Sequence, residues 1–206
     1  MSRPPSFITP MGSRGGLNGI YSKRLTYILR HGALKHNCII DSSGYIKVSD
    51  ILLLKQFEGI TLSDITSIVT NDKKSRFSLI IKDGVNYIRA NQGHSFEINK
   101  LINQYELLEE IIEPIVPCFH GTYNTCIDSI QKNGLNIMSR GYIHFTNNLH
   151  AKSGIRYDVN VLVYINMEKA MKDGIKFYKS SNNVILSNGI DGTIGSQYFE
   201  KIEKLI

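Results

Sequence analysis

The chain has 206 residues, of which 42% are apolar, enough for one domain or two small lobes with real cores and too many for global disorder. No apolar run approaches the roughly 18 residues a membrane span needs, and no N-terminal apolar run leads to a small-residue cleavage site. The net charge of +6 lies wholly in residues 1–99, with 13 Lys+Arg against 7 Asp+Glu, while residues 100–206 hold 11 of each; a basic half joined to a neutral one suits a lobe that meets a polyanion and a lobe with another task.

Residues 1–19, rich in Gly, Pro and Ser and without apolar period, are expected to form a flexible tail. From Ser22 the pattern turns helical: Leu25, Ile28 and Leu29 fall at i, i+3, i+4, and Gly32 offers a C-terminal stop. Tyr45–Val48 alternates like a short strand, and Ser49 can cap a helix through Leu54. Thr61-Leu62-Ser63-Asp64 resembles a capping box for a helix holding Ile65, Ile68 and Val69. Phe77–Ile81 and Val85–Ile88 flank Asp83-Gly84, which supplies the positive φ angles of a tight hairpin turn. Helices followed by a basic hairpin suggest a winged-helix-like RNA lobe over 20–95. Residues 96–114 read as a connecting segment with a helical middle. Over 115–206, strands at Val116–Phe119, Ile143–Phe145, Val159–Asn166 and Val184–Leu186 alternate with short helices, one stopping at Asn133-Gly134. The fold class expected is α+β, with a twisted, mainly antiparallel sheet in the second lobe.

Several chemistries are not indicated. The chain has no G-x-G-x-x-G opening a helix, no Walker lysine motif, no G-x-S-x-G elbow and no H-E-x-x-H. Cys118, His120 and Cys126 lack the paired short spacings of structural zinc modules, so no metal is expected. Three cysteines, counting Cys38, are too few and odd in number for a disulfide framework, which points to a reducing, intracellular compartment, cytoplasm or nucleus. A soluble monomer without membrane contact is expected.

Arg30-His31, Arg76 and Arg140 stand out as candidates for phosphate chemistry, because a guanidinium fork matches phosphate oxygens and stays charged. Each has a plainer reading: cations at a helix C-terminus, an edge-strand charge, a loop residue. Their order along the chain adds weight. Leu29-Arg30-His31-Gly32-Ala33, Asp72–Phe77, Ala90–Ser95 with Gln92-Gly93-His94, His120-Gly121-Thr122, Ser139-Arg140 with Ile143-His144-Phe145, Ser153-Gly154-Ile155-Arg156 and Ser180–Val184 together resemble the NAD-dependent tRNA 2′-phosphotransferases. The resemblance runs from Ser22 to the C-terminus.

The resemblance implies a metal-free, two-step reaction with NAD as co-substrate and an RNA bearing an internal 2′-phosphate, such as spliced tRNA, as partner. That phosphate attacks the nicotinamide ribose and expels nicotinamide. The ribose 2″-hydroxyl of the RNA-2′-phospho-ADP-ribose then attacks phosphorus, leaving a 2′-hydroxyl on the RNA and releasing ADP-ribose 1″,2″-cyclic phosphate. By the same resemblance Arg30, His31 and Arg76 hold the RNA 2′-phosphate, and Arg140 serves chiefly the second step. His120, Gly121 and Thr122 are implied on the NAD side of an ADP-ribosyltransferase-like lobe, with His144, Ser153, Gly154, Arg156 and Asn182 as further NAD-side candidates. Tyr142 and Ile155 depart from the family's usual His and Met. Two other readings remain open: an ADP-ribosyltransferase that caps phosphorylated nucleic-acid ends and stops after the first step, and an inert winged-helix RNA-binding protein.

Overall fold

The computed structural model describes residues 14–205, a mixed α+β fold with antiparallel sheets. Residues 1–13 of the expected tail lie outside the described residues. Helix α1 spans Arg14–Tyr27, so the helix begins eight residues before Ser22 and takes in the last part of the segment read as tail. It does not stop at Gly32: a π-helical turn, Ile28–Gly32, carries it on into a short turn, Leu34–His36, which ends at the left-handed Asn37. Gly32 is needed for close packing instead, since a Cβ there would sit 2.6 Å from the Tyr27 ring.

Strand β1 (Ile46–Lys47) leads directly into α2 (Val48–Leu52). Lys47 is its N-cap and makes no side-chain cap bond, so Ser49 lies inside the helix rather than capping it. The capping box forms as expected at α3 (Leu62–Thr70): Thr61 accepts from the Asp64 amide, and the Asp64 carboxylate accepts from the Thr61 amide at 2.9 Å. Strands β2 (Phe77–Lys82) and β3 (Val85–Ala90) make the hairpin, with φ of 50° at Asp83 and 75° at Gly84. β1 joins them in a three-stranded sheet of order β1-β3-β2.

The expected connecting segment is structured. It holds the one-turn helices α4 (Phe96–Asn99) and α5 (Gln104–Leu107) and then strand β4 (Leu108–Ile111). After it come β5 (Phe119–Thr122), α6 (Ile127–Asn133), β6 (Leu135–Asn136), β7 (Ile143–Phe145), β8 (Val161–Ile165), α7 (Met167–Lys172), β9 (Phe177–Ser180), β10 (Ile185–Ser187), β11 (Thr193–Ile194) and β12 (Phe199–Lys204). β4 forms the edge of a four-stranded sheet of order β4-β9-β10-β7, and a three-stranded sheet has order β12-β8-β5. Gly134 ends α6 as expected, at φ 77°, where a Cβ would strike the Ile194 carbonyl at 2.5 Å.

Period-two alternation decides where the cores sit. Ile143, Phe145, Phe177 and Ile185 point from the four-stranded sheet toward Val161, Val163 and Ile165 of β8, forming one apolar cluster. Tyr142, Tyr178, Val184 and Leu186 point the other way and join Leu25, Ile28, Ile46, Phe57, Ile65 and Ile88 of the N-terminal elements in a second cluster. Ile98, Ile102, Leu107 and Leu108 are buried in it, so the two halves share a core across one face of the sheet. Among the described residues no helix is long and apolar enough to cross a membrane.

Candidate active site

A cleft of about 1020 Å³ lies between the two halves. Arg30, Arg76 and Gln92 line it from the first half, and His120, Gly121, Thr122, Arg140, His144, Ser153, Gly154 and Arg156 from the second. Tyr142 and Ile155 also line it. His31 and Asn182 do not. None of the described residues lining the cleft is acidic.

Arg30 is carried by the π-helical turn at the end of α1 and lies against Gly93, whose φ of 84° and missing side chain let the backbone sit over the guanidinium. A Cβ on Gly93 would be 3.1 Å from the Arg30 guanidinium carbon. Burial first, then Arg140 and Arg76, push the Arg30 pKa down to about 10. Its Nε and one Nη are buried without a hydrogen-bond partner. A charged donor in that condition costs free energy unless an anion completes it. His31, one residue on, is exposed beside Tyr27, ring centroids 6.3 Å apart. Desolvation and then Arg30 and Arg140 hold its imidazole below the ordinary value.

Arg76 directly precedes β2 and is already engaged. Its Nε and Nη2 donate to the Asp72 carboxylate at 2.9–3.2 Å, and Nη2 also donates to the Ser22 hydroxyl at 3.0 Å. The Asp72 side chain is 3% exposed. The hydrogen bonds of Arg76 keep it ionised and below the usual carboxylate range, against the opposing effect of its burial. Asp72 is not among the residues singled out from the sequence: the pair forms in the turn between α3 and β2, where a spacing of four does not by itself bring side chains together.

Arg140 follows the left-handed Met138, and its backbone bridges to Ser95 across the halves. Desolvation, then Arg156, lowers its pKa. Arg30, Arg76, Arg140 and Arg156 thus make a cationic cluster, in which the Asp72 carboxylate is engaged by Arg76.

Strand β5 supplies the opposite wall. Cys118 bonds to Ile165 of β8, while Phe119 bonds in the other direction to Thr146. By the parity of the ladder, the Gly121 N–H and C=O face the gap where β5 and β7 splay apart. Gly121 must lack a side chain because a Cβ would meet Ile155 at 2.7 Å. His120 Nδ1 donates to the His144 carbonyl at 2.8 Å, which fixes its tautomer and leaves Nε2 as an acceptor. Burial keeps the ring below its ordinary pKa.

His144 is tied on both sides: Nδ1 to the Tyr142 carbonyl at 3.1 Å and Nε2 to the Gln92 side-chain amide at 2.8 Å. Burial, Arg140 and Arg30 push its pKa down to about 3, so the ring is neutral and carries one N–H, shared between the Tyr142 carbonyl and the Gln92 side-chain oxygen as alternative acceptors. His144 pins Gln92 across the halves rather than offering a free ring nitrogen. Tyr142 is 6% exposed and packs edge-on against Tyr178, ring centroids 5.9 Å apart.

Ser153 and Asn182, expected on the NAD side, both donate to the Lys74 carbonyl, at 2.5 Å and 3.1 Å. They fasten the 72–76 loop of the first half to the second. That loop carries a left-handed Ser75, whose carbonyl accepts from Asn91 at 2.8 Å.

Residues 18–189 match the family described as RNA 2′-phosphotransferase, Tpt1 / KptA family. A Schizosaccharomyces pombe protein provisionally named a tRNA 2′-phosphotransferase is 40% identical over 187 residues, covering 89% of this chain, which spans only about half (50%) of that relative's length. Proteins named tRNA 2′-phosphotransferase 1 are 36% identical over 191 residues in Danio rerio, with 89% of this chain and 84% of the relative covered. The Homo sapiens protein of that name is 35% identical, with 89% and 75% covered. The chain is a member of the RNA 2′-phosphotransferase, Tpt1 / KptA family of enzymes.

Proposed function

We propose that this chain transfers the internal 2′-phosphate of an RNA, spliced tRNA being the leading case, to NAD, leaving a 2′-hydroxyl and ADP-ribose 1″,2″-cyclic phosphate. The N-terminal part then acts as a winged-helix-like RNA lobe and the C-terminal part as an ADP-ribosyltransferase-like NAD lobe, and His31 assists at the RNA phosphate. The observation that carries the reading is a cleft with Arg30, Arg76 and Arg140 converging, buried unpaired donors on Arg30, and no acidic lining among the described residues. Such a site lacks a carboxylate base. It suits a nucleophile that arrives already deprotonated, as a phosphate dianion does.

NAD, a co-substrate, fits the β5 wall: the Gly121 N–H and C=O match the donor and acceptor of a carboxamide, and His120 Nε2 can accept from a ribose hydroxyl. NAD supplies an anomeric carbon with a cationic leaving group, so the chain's residues have chiefly to align a dianion against it. Arg30 holds the phosphate with donors that are desolvated in advance. Arg76, clamped by Asp72, presents its remaining donor at a fixed angle. Arg140 meets the charge that builds on the phosphoryl oxygens in the second step, where a fixed guanidinium is most effective. Incubating the protein with a 2′-phosphorylated oligonucleotide, with and without NAD, tests the reading. Cyclic phosphate formed only with NAD is expected. A stable ADP-ribosylated RNA would indicate the capping reaction instead, and no NAD consumption would contradict both.

A further inference from the structure

Next to the cleft lies a second groove, of about 510 Å³, on the far side of Ile155. Lys73, Lys74, His150, Lys152 and Arg156 line it, together with Tyr157 and the apolar Leu149 and Val159. None of its described lining residues is acidic. Asp158, the nearest acid in sequence, accepts from the Tyr123 hydroxyl at 3.0 Å, and Arg156 leans on the same hydroxyl at 3.3 Å. Tyr157 is 98% exposed, a large ring with no packing partner.

Lys74, Ile155 and Arg156 line both spaces, so the groove opens from the cleft itself. The junction is built: the Lys74 backbone is fastened by Ser153 and Asn182, which sets where Lys73 and Lys74 project. A cluster of cations beside apolar side chains and an exposed ring is what a single strand of nucleic acid needs, phosphates on the cations and a base on the ring.

We propose that this groove holds the RNA strand flanking the 2′-phosphorylated nucleotide, with Lys73 and Lys152 on backbone phosphates and a base stacked on Tyr157. The inference rests on the RNA reading above. It also extends the RNA surface into the neutral half, which the overall charge split had assigned to other work. A dinucleotide offers at most one flanking nucleotide to the groove, so the groove sets a length dependence that the cleft alone does not.

The test uses the full chain and two fluorescent oligonucleotides with one internal 2′-phosphate, a dinucleotide and a strand of about 10 nucleotides, read by anisotropy. Tyr157→Ala is expected to weaken binding of the longer strand about tenfold, within the range of one lost base stack. Lys73→Ala with Lys152→Ala is expected to lower the steepness of its salt dependence by about 1.4 in log–log slope. Dinucleotide affinity and the KM for NAD stay at wild-type values. Equal loss for both oligonucleotides, no loss for either, or a raised KM for NAD would overturn the assignment. Because binding is read directly, absence of turnover in the wild type would count against the proposed reaction and leave the groove decided by the anisotropy.

Discussion

Arg30 shows how the site trades stability for readiness. Its guanidinium stays charged at neutral pH even with a pKa near 10, yet its Nε and one Nη are buried without partners. Leaving such a group unmet costs about 1–3 kcal/mol. Arg30→Met, which keeps the length and removes the charge, is therefore expected to raise the melting temperature by about 2–4 °C per kcal/mol recovered, for a chain of this size. The same variant is expected to lose 2′-phosphate transfer. Calorimetry of the two proteins checks the first outcome; a lower melting temperature for Arg30→Met would mean that the guanidinium is satisfied in the free protein. Arg76 differs because its Nε and Nη2 already donate to Asp72 and Ser22.

At the scale of elements, the 72–76 loop is one of the places where the halves are joined, through two hydrogen bonds onto one carbonyl. Ser153→Ala combined with Asn182→Ala is expected to cost about 1–3 kcal/mol of stability, one net hydrogen bond each. Amide exchange at Ser75 and Arg76 is expected to speed up, and the KM for RNA to rise while that for NAD stays. A rise confined to the KM for NAD would return both residues to NAD binding. The sequence disclosed the local devices well: the Thr61 capping box, the Asp83-Gly84 turn and the Gly134 stop all follow from side chains within a few residues. It was less informative where distant packing decides. Gly32 looked like a stop but exists for the Tyr27 ring, and residues 96–114 looked like a connection but hold core residues and a sheet edge. Of the site, the cationic residue types and their order were legible, and the structure brings Arg30, Arg76 and Arg140 to one cleft. The fastening roles of Ser153, Asn182 and His144 were not, because their partners lie 79, 108 and 52 residues away.

For the whole molecule, the buried imidazoles set an acid limit. His94 and His144 are held neutral, burial being the largest cause, with pKa values pushed from an ordinary 6.5 down to about 3. Between those values the unfolded chain binds up to one more proton at each, so folded stability falls as pH drops below the ordinary value. The two together are expected to remove about 2–3 kcal/mol between neutrality and a pH about one unit below the ordinary histidine value. Denaturant unfolding across that window measures it, and His94→Gln is expected to reduce the slope by one proton; an unchanged slope would show that His94 titrates alike in both states. The central claim is that the arginine cleft passes a phosphate from RNA to NAD in two steps, with Arg140 serving the second. A single-turnover time course on RNA labelled in its 2′-phosphate, comparing Arg76→Ala with Arg140→Ala, tests it most directly. Arg76→Ala is expected to slow loss of substrate with no intermediate in view. Arg140→Ala is expected to slow the second step by about 10² to 10³, the usual effect of losing one preorganised donor, so that 2′-phospho-ADP-ribosylated RNA accumulates before cyclic phosphate appears. Slow loss of substrate with no accumulated intermediate in Arg140→Ala would contradict the account and place Arg140 in the binding clamp.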